Sequence, residues 1–86
     1  MEEKKIFTAF IDIIKSFVKA EPEQLQNATK ETRIIQDLRV NSARLVDIII
    51  KAEDRFNIEI DDDDADTIST IGDAVHIVSQ KMKAAA

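Results

Sequence analysis

Apolar residues recur every three or four positions in three stretches of the chain, which is the spacing of one face of an α-helix. The pattern predicts amphipathic helices over residues 3–19, 42–56 and 70–83. The positions predicted to be buried are Ile6, Phe10, Ile13, Ile14, Phe17 and Val18, then Leu45, Ile48, Ile49, Ala52 and Phe56, and last Ile71, Ala74, Val75, Val78 and Met82. Val46 and Ile50 are predicted to widen the stripe of the second helix.

The segment between the first two helices, residues 20–41, is predicted to be a long connector. Pro22 ends the first helix, because the residue before a proline is pushed out of helical geometry. A connector of this length in a small domain is usually well packed or functional. The residues predicted to anchor it to the core are Leu25, Ile34, Ile35 and Leu38.

A short helix is predicted over residues 62–67, since the run Asp61–Asp66 contains five aspartates and suits the first turn of a helix. Thr70 and Asp73 have the spacing of a capping box at the start of the last helix. One glycine and one proline in 86 residues also favour helices over sheet. The predicted fold is therefore all-α. It is a single domain over residues 1–86, a small four-helix bundle of three main helices and one short helix with a long first connector.

The composition excludes several classes of protein. The chain contains no cysteine, so it has neither a disulfide framework nor a thiolate metal site. No apolar run approaches the length of a membrane span, and no signal peptide pattern opens the chain. We therefore expect a cytoplasmic protein without a transmembrane segment.

The negative charge is unevenly distributed. The chain has a net charge of −5, whereas residues 41–66 hold nine acidic and three basic side chains, a net of −6. Phosphate binding needs a basic face, so nucleic acid is not expected as a ligand. The acidic segment can either bind a basic protein partner or serve only as a solvated surface, and charge alone does not choose between these two roles.

Three features that could carry chemistry have simpler explanations. The aspartate run does not fit a calcium-binding loop, which would need an oxygen ligand at Ala65 and a glycine at Asp66. His76 lies off the predicted buried stripe and has no cysteine or second histidine with which to share a metal. We expect His76 on the surface, with no metal site and no catalytic group. The phenylalanines predicted to belong to the core are Phe7, Phe10, Phe17 and Phe56.

The start of the second main helix is the most informative stretch. Asn41, Ser42 and Ala43 stand there between Arg39 and Arg44. Asparagine and serine are both favoured helix N-caps, so either Asn41 or Ser42 could be the cap. A serine hydroxyl at a helix N-terminus is also a place where an attached phosphate is well tolerated. The residues alone leave both roles open for Ser42.

From Gln36 to Val78 the chain resembles an acyl carrier protein. The stretch QDLRVNSA is similar to that family's acidic-Asp-Leu-Gly-x-Asp-Ser-Leu motif. The amphipathic helix after it ends in Glu-x-x-Phe, and an Ile-x-Ile pair, an acidic short helix and a Thr-Ile-x-x-Ala-Val helix start follow. The first helix and the connector suit the same architecture. The resemblance therefore covers nearly the whole chain and implies the acyl-carrier fold.

The resemblance implies a function as well as a fold. Members of the family carry a 4′-phosphopantetheine arm on the serine of the motif, here Ser42, where a phosphopantetheinyl transferase places it from coenzyme A. The thiol of the arm holds acyl groups as thioesters for fatty-acid, lipid or secondary-metabolite biosynthesis. The chain is accordingly expected to be a monomeric carrier and phosphoprotein, not an enzyme. It is expected to dock on acyl-transferring or synthase enzymes that have basic patches. The residues marked for docking are Asp47, Ile50, Glu53, Asp54, Asp62, Asp63 and Asp66.

Four residues beside Ser42 depart from the family pattern and are also predicted to bind partners. Asn41 replaces an aspartate and Ala43 replaces a leucine. Arg39 replaces a glycine, and Arg44 replaces a residue that is often acidic. These exchanges remove negative charge and add positive charge, which should weaken binding to a standard attaching enzyme. They favour a specialised bacterial carrier. The alternative is a carrier-like interaction module that is not modified and binds a basic partner through its acidic helix.

Overall fold

The structure, a computed structural model, describes residues 2–17, 25 and 27–85 and is all-α. Its helices within those residues are α1 (Glu3–Phe17), α2 (Ile34–Asp37), α3 (Ser42–Phe56), α4 (Asp62–Asp66) and α5 (Ile71–Ala85). The predicted bundle of three main helices and one short helix is confirmed, and α2 is one further turn inside the connector. The predicted end of the first helix, with Val18 and Pro22, lies outside the described residues.

The core forms where α1 packs against both α3 and α5, while α2 packs on α3. All five positions of the stripe predicted for α3 are buried, and Ile48 and Ala52 have no exposed surface. Burying one isoleucine side chain contributes about 1.5–3 kcal/mol to folding. Phe7, Phe17 and Met82 are half-buried at the edge of the core. The buried residues of α1 and α5 are Ile6, Ala9, Phe10, Ile13 and Ile14, and Ile71, Ala74, Val75, Ile77, Val78 and Ser79.

Backbone hydrogen bonds fasten the connector to the start of α5. The N–H of Ile34 donates to the carbonyl of Ser69 at 3.0 Å, and the N–H of Ile71 donates to the carbonyl of Thr32 at 3.0 Å. These bonds satisfy two donors near the helix ends that would otherwise lack partners. The long connector is therefore held against the bundle on both sides of Arg33, just where α2 begins.

Gly72, the single glycine of the chain, lies at the closest approach between the connector and α5. Its N–H donates to the carbonyl oxygen of Lys30 at 2.9 Å. A Cβ atom at this position would lie 2.8 Å from that same oxygen, closer than a carbon and an oxygen can pack. Glycine is required here by the proximity of the two backbones, and its φ angle is an ordinary one.

Three predicted core positions are wrong. Ile35 was expected to anchor the connector, and its side chain is 43% exposed, whereas Ile34 and Leu38 are buried. The reason is the turn of α2, which places residues four apart on one face and turns Ile35 about 100° away from it. Val46 and Ile50 were expected to widen the buried stripe of α3, yet they are 55% and 56% exposed. Val40 is buried and was not predicted.

The helix ends have the caps that their sequences suggest. Thr70 and Asp73 form a reciprocal capping box, with Thr70 N–H donating to Asp73 Oδ2 at 3.0 Å and Asp73 N–H donating to Thr70 Oγ1 at 3.1 Å. Asn57 ends α3 in the left-handed conformation, with φ of 55°, which asparagine tolerates better than most residues. In the part of the chain that the structure describes, no helix is long and apolar enough to cross a membrane.

Candidate functional site

The cap of α3 is Asn41. Its backbone is extended, with φ of −78° and ψ of 166°, and its Oδ1 accepts a hydrogen bond from the backbone N–H of Arg44 at 2.8 Å. Ser42 is the first residue inside the helix. The choice left open by the sequence is thereby settled, because the capping bond is made by the residue before the serine.

Ser42 is exposed, and within the described residues its hydroxyl makes no hydrogen bond. It lies in the first turn of a helix of 15 residues, where unpaired backbone N–H groups and the positive end of the helix dipole favour an attached anion. A substituent on this oxygen would extend into solvent without displacing any core residue. The position is therefore both accessible and electrostatically suited to a phosphate ester.

Arg39 lies in the left-handed region, with φ of 56°, although it is not a glycine. That conformation costs a non-glycine residue about 1–2 kcal/mol. The residues on either side, Leu38 and Val40, are 3% and 2% exposed, so the core holds both ends of the turn. The turn positions Asn41 and Ser42 after Val40, and its left-handed φ is one that glycine adopts without strain.

The side chains around Ser42 pair only weakly with one another. Arg44 Nη1 lies 4.0 Å from Asp47 Oδ2, and both side chains are about half exposed, at 54% and 50%. An exposed pair of this kind contributes roughly 0–1 kcal/mol. Asp37 instead stabilises the start of α2, because its Oδ2 accepts a hydrogen bond from the backbone N–H of Arg33 at 2.8 Å. The positive charge near the serine is therefore only weakly compensated.

The predicted docking residues of α3 fall into two kinds. Asp47, Ile50 and Asp54 are exposed and line one surface groove together with Phe17 and Lys51. Glu53 is half-buried, and its Oε2 accepts the backbone N–H of Ile60 at 2.9 Å. The Glu53 carboxylate thus holds the turn that follows α3, which sequence reasoning did not anticipate.

The aspartates of α4 are also divided between structure and surface. Asp61 caps the helix by accepting the backbone N–H of Asp64 at 2.8 Å. Asp64 Oδ2 in turn lies 2.7 Å from Lys81 Nζ on α5, and the hydrogen bond from this ammonium lowers the pKa of the Asp64 carboxyl and raises that of Lys81. The predicted docking aspartates of this helix are all exposed, namely Asp62, Asp63 and Asp66.

The structure gathers most of the predicted site residues on one element. Those on α3 or in the turn before it are Arg39, Asn41, Ser42, Ala43, Arg44, Asp47, Ile50, Glu53 and Asp54. The three aspartates of α4 form a separate group, which the Asp64–Lys81 pair fastens to α5. Among the described residues, no group of three histidine, cysteine or acidic side chains could hold a metal ion. His76 is exposed.

The accessible Ser42 lies in the first turn of a capped helix inside a small helical bundle. The family model described as "Phosphopantetheine attachment site" matches residues 8–78. The acyl carrier protein of Lactobacillus acidophilus is 36% identical over 78 residues, which cover 91% of this chain and 94% of that one. The acyl carrier protein of Thermotoga maritima is 33% identical over 79 residues, covering 92% and 94% of the two chains.

The chain therefore belongs to the acyl carrier protein family, whose members are carriers and not catalysts. Its fold is similar to a solved structure of an acyl carrier protein from Enterococcus faecalis, with a TM-score of 0.76 and 27% identity over 94% of this chain and 99% of that one. The crystal structure of the Thermotoga maritima protein has a TM-score of 0.84 over 100% and 96% of the chains, and at 24% identity it supports the fold alone.

Proposed function

We propose that this protein carries acyl groups as thioesters on a 4′-phosphopantetheine arm attached to the hydroxyl of Ser42. The observation that carries the proposal is the exposed Ser42 hydroxyl in the first turn of α3, left without a capping role by Asn41. The match of residues 8–78 to the phosphopantetheine attachment family supports it. In this interpretation the cap shapes the helix start while the serine stays available for modification.

The attachment step would be catalysed by a phosphopantetheinyl transferase with coenzyme A as donor. A bond forms between Ser42 Oγ and the phosphorus next to the pantetheine, the diphosphate bond of coenzyme A breaks, and adenosine 3′,5′-bisphosphate leaves. The hydroxyl proton is lost in the same step. The arm brings a terminal thiol, which supplies the thioester chemistry that a chain without cysteine does not contain.

The enzymes that load and use the arm would dock through complementary charge. Asp47 and Asp54 are exposed along α3 beside the apolar Ile50, and Asp62, Asp63 and Asp66 are exposed on α4. Basic patches on acyl-transferring or synthase enzymes fit such a surface. Glu53 would contribute less, because its carboxylate is already bonded to the Ile60 N–H. A role in fatty-acid, lipid or secondary-metabolite synthesis, a monomeric single domain over residues 1–86 and a cytoplasmic location stay predictions.

The proposal is tested by incubating the purified protein with coenzyme A and a panel of phosphopantetheinyl transferases. We expect a mass gain of one phosphopantetheine group, and we expect Ser42→Ala to abolish it. Ser16→Ala is the matched control, since Ser16 is exposed on α1 and its loss should leave the mass gain intact. A wild-type protein that gains no mass with any transferase would contradict the proposal.

A second function is favoured by the residues around the serine. The neutral Asn41 and the small Ala43 stand where the family has an aspartate and a leucine, and Arg39 and Arg44 add positive charge. A chain with these exchanges could serve as an unmodified interaction module that binds a basic partner through the acidic face of α3. A basic partner enzyme bound equally well by the wild type and by Ser42→Ala, with no mass gain in the wild type, would favour this function.

A further inference from the structure

The helix α3 presents three lengthwise rows of side chains to solvent. Successive residues of a helix are turned by about 100°, so residues seven or eleven apart fall nearly in line. The rows are an apolar one of Val46 and Ile50, an acidic one of Asp47 and Asp54, and a basic one of Arg44, Lys51 and Arg55, and all these side chains are exposed. We refer to the last of them as the basic row.

The basic row is only weakly neutralised. Arg44 lies 4.0 Å from Asp47 in a half-exposed pair, and within the described part of the chain neither Lys51 nor Arg55 forms an ion pair. Lys51 and Arg55 are four positions apart and repel each other, and Asp47 and Asp54 in the neighbouring row offset this repulsion only in part. The positive charge of the basic row is therefore available to a partner.

The basic row continues from α3 onto α1. Arg55, at its far end, lines a surface cleft with Lys4 and Lys5 of α1, and the carboxylates of Glu2 and Asp12 line the same cleft. Cations therefore outnumber carboxylates around this cleft. Basic side chains therefore extend from Arg44 in the first turn of α3 to the beginning of α1, with Asp47, Asp54, Glu2 and Asp12 beside them.

The near end of the basic row adjoins the proposed attachment site. Arg44 follows Ser42 by two positions, and Arg39 precedes it by three. A helix with its side chains is about 10–12 Å across, and an ordinary protein interface buries about 800 Å² on each partner. An enzyme that reaches Ser42 from solvent and lies along α3 contacts both the acidic and the basic rows.

We propose that the phosphopantetheinyl transferase that modifies Ser42 docks on the basic row with an acidic surface. The inference rests on the proposed function, since it names the chemistry of the partner at the same site. Two rows of opposite charge on one helix fix both the register and the orientation of a complementary enzyme. They also repel an enzyme that is basic throughout, which would bring cations against Arg44.

The test uses the transferase of the organism that encodes this chain, with coenzyme A, and measures kcat/KM for arm transfer by intact mass. We expect each of Arg44→Glu, Lys51→Glu and Arg55→Glu to lower kcat/KM by about threefold to tenfold, and the triple reversal by about thirtyfold or more. The triple change of the same residues to glutamine should give an intermediate loss. Circular dichroism of each variant establishes that the helices are retained.

Lys83→Glu is the control for net charge, because Lys83 is exposed on α5 and the exchange matches Lys51→Glu. We expect Lys83→Glu to leave kcat/KM within about twofold of the wild type. Wild-type kcat/KM in the triple reversal overturns the inference and leaves the proposed function standing. No mass gain in the wild type overturns both. A second transferase provides a further test if its own carrier is acidic at the positions of Arg44, Lys51 and Arg55. We expect this enzyme to modify the triple reversal faster than the wild type. Slower modification of the triple reversal would also contradict the inference.

Discussion

The side-chain oxygen of Asn41 accepts a hydrogen bond from the backbone N–H of Arg44 at 2.8 Å. Asn41 therefore caps α3, and the neighbouring Ser42, the proposed attachment residue, has no part in the cap. An N-cap exchange to alanine typically costs about 1 kcal/mol. We therefore expect Asn41→Ala to lower the free energy of unfolding by about 1 kcal/mol in urea denaturation. Ser42→Ala should change it by less than about 0.5 kcal/mol, and a larger loss in Ser42→Ala than in Asn41→Ala would assign the cap to the serine.

Arg39 is expected to be a destabilising residue in its own protein. Its φ of 56° is strained for an arginine, whereas glycine adopts this conformation freely. Arg39→Gly removes that strain but adds entropy to the unfolded chain, so we expect a net gain in the free energy of unfolding of about 0.5–1 kcal/mol. Asn57→Gly is the matched control, because Asn57 has φ of 55° but asparagine tolerates this conformation, and its gain should be smaller. Destabilisation by Arg39→Gly would contradict this account of the turn.

Gly72 is expected to resist substitution even by alanine. Alanine is favoured over glycine in a helix by about 1 kcal/mol, which alone would stabilise α5. The new Cβ atom, however, would meet the Lys30 carbonyl oxygen at 2.8 Å and separate the connector from α5. We expect Gly72→Ala to lower the free energy of unfolding by about 1–3 kcal/mol. A protein stabilised by this exchange would show that the two backbones do not lie this close.

Acid should destabilise the protein through two carboxylates at helix starts. A hydrogen bond from Lys81 lowers the pKa of Asp64, and the backbone N–H of Thr70 lowers the pKa of Asp73. A folded-state pKa below the unfolded value means that the stabilisation is complete above the ordinary aspartate range. It is lost as pH falls through the lowered values, below about pH 4. The raised pKa of Lys81 acts in the opposite direction, so its contribution is present at neutral pH and is lost only in strong alkali.

The double exchange Asp64→Asn with Asp73→Asn should flatten this dependence. Urea midpoints measured from neutral to acidic pH provide the test, with Gln80→Ala as an exposed, non-titrating control on α5 that keeps the wild-type slope. Identical slopes for the wild type and the double variant would exclude these two groups as the source of the acid sensitivity.

The sequence predicts the fold well where apolar residues recur at helical spacing and the same residues are buried in the structure. The five positions of the main apolar stripe predicted for α3, from Leu45 to Phe56, are all buried. The capping box of Thr70 and Asp73 was also predictable, because the two residues are close in sequence and need no tertiary partner. Ile35 was misplaced because a helix of one turn is too short to show a period.

The parts of the site that were not predictable depend on contacts between distant residues. Glu53 reads as one more acidic residue of an exposed face, and only the fold brings the N–H of Ile60 to its carboxylate. In the sequence Asp64 looks like its neighbouring aspartates. Only the fold shows that Asp64 is the one that pairs with Lys81. By contrast, the left-handed φ of Arg39 had a signal, since the family resemblance places a glycine there.

The central claim is that Ser42 carries the arm in the living cell, and the intact mass of the protein purified from its native host tests it most directly. The account predicts a species heavier than the unmodified chain by one phosphopantetheine group, with or without an acyl group on its thiol. Fragmentation should place the added mass on Ser42. A native protein with only the unmodified mass, or with the added group on another residue, would contradict the account.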